Sequence, residues 1–147
     1  APGCGFQLKQ APKFSFERLF ISAPYRSQAI GEFRRQLRAN PGLQLVDKAE
    51  AAQVRLDISR ELREKEVISF STAGRPREYQ LRLRVKYQVT DAKGRELIGA
   101  SELVQRREVS IGDTDLLAKE YEDQLMYREM QSDIVQQLMS RLAALRL

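Results

Sequence analysis

The sequence predicts an α+β fold: a two-layer sandwich with two helices packed on one face of a mainly antiparallel four-stranded sheet, in the order βαβββα. Three patterns carry this. Tyr79, Leu81, Leu83, Val85, Tyr87 and Val89 alternate with Gln80, Arg82, Arg84, Lys86, Gln88 and Thr90, the period of a strand with one dry and one wet face. Ile30, Phe33 and Leu37 recur at helical spacing, and so do Tyr127, Met130, Ile134, Leu138, Leu142 and Leu145. Two amphipathic helices need an apolar surface to cover, and one face of an alternating sheet supplies it.

Residues 1–15 hold two prolines and two glycines without a sustained period and read as a tether; residues 16–147 read as one domain. Phe16 to Ser22 is apolar on both faces, which suits a short strand covered on both sides. Pro24 ends it. Ser27 is placed to cap the first helix, which Asn40-Pro41-Gly42 stops. Leu43 to Val46 leads into a second strand, in which Val54, Leu56 and Ile58 alternate with Arg55, Asp57 and Ser59. Leu62, Ile68 and Phe70 keep that parity, so the strand is expected to continue as a long arm to a tip at Ser71-Thr72-Ala73-Gly74-Arg75-Pro76. Asp91-Ala92-Lys93-Gly94 supplies turn chemistry between the Tyr79 strand and a strand from Leu97 to Ile111, whose blurred alternation a bulge would explain. Asp113-Thr114-Asp115 offers an N-cap for a long last helix without Gly or Pro, whose apolar stripe extends to Leu117, Tyr121 and Leu125.

Composition narrows function. The chain has 147 residues with no histidine and one cysteine, which removes the commonest general base, the commonest metal ligand, thiolate zinc sites and intrachain disulfides. Carboxylates such as Asp113, Asp115, Glu120 and Glu122 are accounted for by capping and helix charge pairs, so no nucleophile and base can be named and no metal or cofactor is expected. No apolar run approaches the ~20 residues of a membrane-spanning helix. The net charge of +5 favours an anionic partner, although mixed signs also suit a solvated surface. Nucleic acid is not expected, because the wet sheet face carries no aromatic residues for base stacking and no glycine-rich phosphate loop precedes a helix.

Two features remain. Cys4 lies in Pro2-Gly3-Cys4-Gly5-Phe6, outside any apolar period; a small residue before the cysteine fits the cleavage site of a bacterial lipoprotein, so Cys4 is either a lipid anchor or a spare thiol on the tether. Arg82, Arg84 and Lys86 share one strand face, with Arg75 and Arg77 at the preceding tip. This strip either meets a phosphate-rich ligand or pairs with Glu61, Glu64, Glu66 or Glu102 on neighbouring strands.

Three segments together resemble one family, the lipopolysaccharide-assembly lipoprotein LptE. They are Cys4-Gly5-Phe6-Gln7-Leu8; Gly74 followed by Glu78-Tyr79-Gln80-Leu81 at the start of a long alternating strand; and Leu117-Ala118-Lys119-Glu120, continuing through Glu122 to Met130 and Gln136-Gln137-Leu138. The resemblance spans residues 4–142 in matching order. It implies the βαβββα fold and a non-enzymatic outer-membrane lipoprotein, lipid-anchored at Cys4 on the periplasmic side. It further implies one-to-one partnership with the LptD β-barrel, which the domain plugs, and binding of lipopolysaccharide. One ligand contact of the family carries over onto Lys119. The second falls near Thr72, with Arg75 and Arg77 a few residues later and Arg82 and Arg84 continuing the basic strip. A purely structural plug and a generic envelope adaptor are the alternatives.

Overall fold

Where the chain crosses over through a helix, neighbouring strands run parallel, and where it turns tightly they run antiparallel; this chain does both. The computed structural model describes residues 12–24, 26–112 and 116–147. Its elements are β1 (Arg18–Ser22), α1 (Gln28–Arg38), β2 (Gln44–Leu45), a single 3-10 turn at Ala49–Ala51, β3 (Val54–Phe70), β4 (Pro76–Asp91), β5 (Glu96–Ser110) and α2 (Leu116–Ala143). The sheet order is β2-β1-β3-β4-β5. The expected four-stranded, mainly antiparallel sheet is thus a five-stranded mixed one: β1 runs parallel to both β2 and β3, while β3, β4 and β5 are antiparallel. Residues 44–45 are the extra strand rather than a lead-in. The Gln44 N–H donates to the Glu17 carbonyl at 2.7 Å and the Val46 N–H to that of Leu19 at 2.9 Å, after which the 3-10 turn separates them from β3.

Local signals behave as their chemistry dictates. The Ser27 side chain accepts from the Ile30 N–H and caps α1, whose Ala29, Ile30, Phe33 and Leu37 are buried. At the β4–β5 turn, Asp91 Oδ1 accepts from the N–H groups of Lys93 and Arg95, both at 2.9 Å, and Gly94 takes the positive φ of 79°. A register shift between Tyr87 and Val89 confirms a bulge in β5: Ile98 and Ser101 are paired across with two residues between them against one on β4.

A second bulge alters the long arm. The register of β3 on β4 slips between Ile58 and Arg60, so side chains beyond it exchange faces. Leu62 therefore does not keep the parity of Val54, Leu56 and Ile58: it opposes Arg84 on the polar face. Glu61, Arg63 and Lys65 instead oppose Val85, Leu83 and Leu81 and sit beneath the helices. A further slip follows Val67, and Val67, Ile68 and Phe70 end exposed.

The core lies between the helices and the inner faces of β1, β3 and β4, where Leu19, Val54, Leu56, Leu81, Leu83 and Val85 are fully buried. From Tyr127 onward, α2 covers it through Met130, Ile134, Val135, Leu138 and Leu142. The expected extension of this stripe to Leu117, Tyr121 and Leu125 does not occur; these residues are 73%, 66% and 39% exposed. Stepping back from Tyr127 by whole helical intervals reaches Asp123 and Lys119. Leu117, Tyr121 and Leu125 are offset from those positions by two residues, about 200° around the helix. The expected cap at residues 113–115 lies outside the described residues, as does Cys4.

Two alanine substitutions separate the halves of α2 in urea unfolding. Ile134→Ala is expected to cost about 2–5 kcal/mol, whereas Leu117→Ala should stay within about 0.5 kcal/mol.

Candidate functional site

The first half of α2 is held over the arm by polar groups that the β3 bulge has turned inward. Asp123, 7% exposed, accepts a hydrogen bond from the Tyr79 hydroxyl at 2.7 Å and pairs with Lys65 at 3.0 Å. Lys65 also lies 4.1 Å from the Tyr79 ring centroid. One turn on, the Tyr127 hydroxyl donates to the Glu64 carbonyl at 2.7 Å while Arg63 stacks 5.0 Å from its ring. These contacts fix the direction of α2, antiparallel to β3, with its first turn toward the hairpin tip.

That tip gathers three of the cations singled out from sequence. Ser71 and Gly74, with φ 77°, form the turn, and the Ser71 N–H donates to the Arg75 carbonyl at 2.7 Å. Arg75 and Arg77 are exposed, and neither joins an ion pair among the described residues. The Ile111 N–H donates to the Arg77 carbonyl at 2.8 Å, which brings the end of β5 to the same place. Lys119 lies one helical turn beyond Asp123 toward this tip, its side chain 14% exposed and its Nζ 3.3 Å from Glu122.

Arg82 and Arg84 differ. On the polar sheet face, Arg82 bonds Glu66 at 2.8 Å and lies 3.6 Å from Glu64, and Arg84 bonds Glu64 and, at 2.9 Å, Glu102. The hydrogen bond from Arg84 holds the Glu64 carboxyl below the usual range despite desolvation, and the same bond raises the Arg84 guanidinium. Of the four glutamates weighed as partners of the strip, only Glu61 is elsewhere: its Oε1 accepts from the Ala29 N–H at 3.1 Å, in the first turn of α1. Arg82 and Arg84 are thus neutralised within the sheet.

One feature of the tip escapes a reading by periodicity. Val67, Ile68, Phe70, Ile111, Leu117 and Tyr121 are all exposed there, a concentration of large apolar groups beside Arg75, Arg77 and Lys119. The available signal was the offset of Leu117 and Tyr121 from the Tyr127 stripe. Among the described residues no group of carboxylates and thiols is arranged to hold a metal ion.

The family described as LptE, lipopolysaccharide-assembly, matches residues 16–142. This chain belongs to that family. Lipoprotein B of Nitrosomonas europaea is 33% identical, with a TM-score of 0.81 over 95% of this chain and 91% of its own. The rare lipoprotein B of Shewanella oneidensis, 23% identical, superposes with a TM-score of 0.76 over 87% and 95%, and a minor lipoprotein of Acinetobacter baumannii, 16% identical, with 0.70 over 90% and 94%. The latter two share the fold. No curated protein sequence matches the chain. For this LptE-family chain, then, the arm, its tip and the start of α2 are the surfaces that need a functional account.

Burial first, and then the bond to Asp123, pushes the Tyr79 phenol well above its ordinary range; burial also raises Tyr127. A phenol that titrates higher when folded contributes stability that is complete below about pH 10 and lost as pH rises through the folded value. The urea midpoint is expected to fall above about pH 10, and to fall less steeply in Tyr79→Phe.

Proposed function

We propose that this chain is a non-enzymatic, lipid-anchored subunit of the outer-membrane lipopolysaccharide translocon, partnered one-to-one with the LptD β-barrel and binding lipopolysaccharide at the arm's tip. Family membership supports the assembly role. The observation that carries the binding role is the meeting of Arg75, Arg77 and Lys119 with exposed Phe70, Leu117 and Tyr121 at one end of the molecule. Lipopolysaccharide presents phosphates beside acyl chains, and cations flanking apolar side chains complement both. Arg82 and Arg84, already engaged by Glu64, Glu66 and Glu102, enter this reading as groups that hold the sheet together rather than as ligand contacts.

The same pairing favours a second role for the polar sheet face. A face whose charges are balanced internally suits contact with the hydrated interior of a barrel better than capture of an anion. The anchor is Cys4, and the tether from it places the domain on the periplasmic side of the outer membrane.

The combined variant Lys119→Gln, Arg75→Glu, Arg77→Glu is expected to bind lipopolysaccharide at least about tenfold more weakly, about 1.4 kcal/mol, while keeping the far-UV circular dichroism spectrum of the folded chain. Unchanged affinity would reject the tip as the site. Barrel recovered at one-to-one stoichiometry in mild detergent, with wild-type protein that lacks lipopolysaccharide affinity, would favour the purely structural plug.

A further inference from the structure

The sheet ends in two unlike edges. On one side β2 contributes two residues; on the other β5 presents 15, and among the described residues no strand pairs with its outer side. The Ile111 N–H bonds the Arg77 carbonyl, and these two residues continue the register that sets Glu78 against Ser110 and Tyr79 against Val109. By alternation, the odd-numbered residues from Ser101 to Val109 hydrogen-bond β4, while the N–H and C=O groups of Glu102, Val104, Arg106, Glu108 and Ser110 point outward. One of these outward carbonyls, that of Arg106, takes the Arg107 Nη1 at 2.8 Å. The helices leave this edge clear. The Tyr79 hydroxyl meets Asp123, and Arg141 Nη1 donates to the Tyr87 hydroxyl at 2.8 Å, so α2 runs along β4, one strand back from the edge. Two copies joined edge to edge would hold their α2 helices about three strand spacings apart, ~14 Å, beyond the roughly 8–10 Å of packed helices.

Open edges are ordinarily protected by charge, and here the charges select a partner. Arg106 is exposed on the polar face, directly opposite Arg82 in the closer kind of antiparallel pair, and its side chain joins no ion pair among the described residues. Arg82 already holds Glu66 and Glu64. A two-fold antiparallel pairing of β5 with a second β5 places one residue opposite itself. With Val104 on that axis, Glu102 of each copy stands opposite Arg106 of the other. With Leu103 there, neither charge finds a counter-charge; with Gln105 there, Glu102 meets Glu108. With Arg106 or Arg107 on the axis, an arginine meets itself. Only the Val104 register is attractive without a like-charge pair. Glu102 bonds Arg84 through Oε1, which leaves Oε2 for the incoming guanidinium.

We infer that the free edge of β5 is a self-pairing surface: two copies of this chain join antiparallel about Val104 into one continuous sheet, with Glu102 and Arg106 matched across the junction. This is a pairing of the free chain. It does not rest on any ligand at the tip, and it is separate from one-to-one union with a barrel.

Sedimentation equilibrium of the full, unlipidated chain tests this, together with amide hydrogen exchange at low and high protein concentration. A monomer–dimer equilibrium is expected. Amides of Glu102, Val104 and Arg106 should gain protection as concentration rises, while those of Leu103 and Gln105, already bonded to β4, should not change. Val104→Pro removes an outward N–H and no bond to β4, so it should keep the amide spectrum of the folded chain while raising the dimer Kd at least about tenfold. Arg106→Glu, which sets acid against Glu102 and relieves Arg82, should weaken the dimer by a similar factor. A chain that stays monomeric at millimolar concentration, a dimer that both variants leave intact, or a dimer that Leu117→Ala dissolves instead would overturn the assignment. So would a monomer whose edge amides become protected only in complex with the barrel, which would give the edge to a strand of that partner.

Discussion

The slip in register between Ile58 and Arg60 of β3 is the constraint on which the rest of the structure depends. Before it, even-numbered residues of β3 face the helices and build the apolar core with Leu81 to Val89 of β4. After it, the odd-numbered Glu61, Arg63 and Lys65 take that side, and each finds a polar partner on a helix: Ala29 N–H, Gln28 with Gln131, and Asp123. The same slip delivers Glu64 and Glu66 to the polar face, where Glu64 pairs with Arg84 and Glu66 with Arg82. One extra residue thus sets both the helix-side polar layer and the neutral sheet face.

The consequence is a molecule with two different ends. At roughly 3.3 Å per residue, the 16 residues of β4 span about 50 Å, and the apolar core fills only part of that length. At one end the chain entering the domain is laid against it: the Asn40 amide donates to the Pro12 carbonyl at 2.8 Å and the Ser15 hydroxyl to that of Leu145 at 2.7 Å. At the other, the hairpin tip and the first turns of α2 expose apolar side chains and cations together. Directional polar contacts position the start of α2 there without requiring a continuous apolar seam, which leaves Leu117 and Tyr121 turned outward.

Features governed by neighbours in sequence were legible in it. The Ser27 cap, the Asp91–Gly94 turn, the β4 alternation and the later α2 stripe each follow from local chemistry. Features governed by partner strands were not. Gln44 and Leu45 become a strand because β1 offers them an edge, and nothing in two residues announces that. The β3 bulge falls where Ser59 to Lys65 is polar at almost every position, so the change of face leaves no break in the pattern. Leu117, Tyr121 and Leu125 have helical spacing among themselves, and only their phase relative to Tyr127 separates an outward stripe from a buried one. Cations at the tip could be named in advance, whereas the neutralisation of Arg82 and Arg84 depended on which face Glu64 and Glu66 occupied.

From Tyr127 onward α2 is anchored by apolar burial, and before Tyr127 chiefly by the polar contacts of Asp123 with Tyr79 and Lys65. Residue-resolved native-state hydrogen exchange tests this central claim most directly, because exchange separates local opening from global unfolding. The account predicts that amides of residues 120–126 exchange through local opening at low free energy while those of residues 130–142 exchange only with global unfolding. Uniform protection along the whole helix would contradict it.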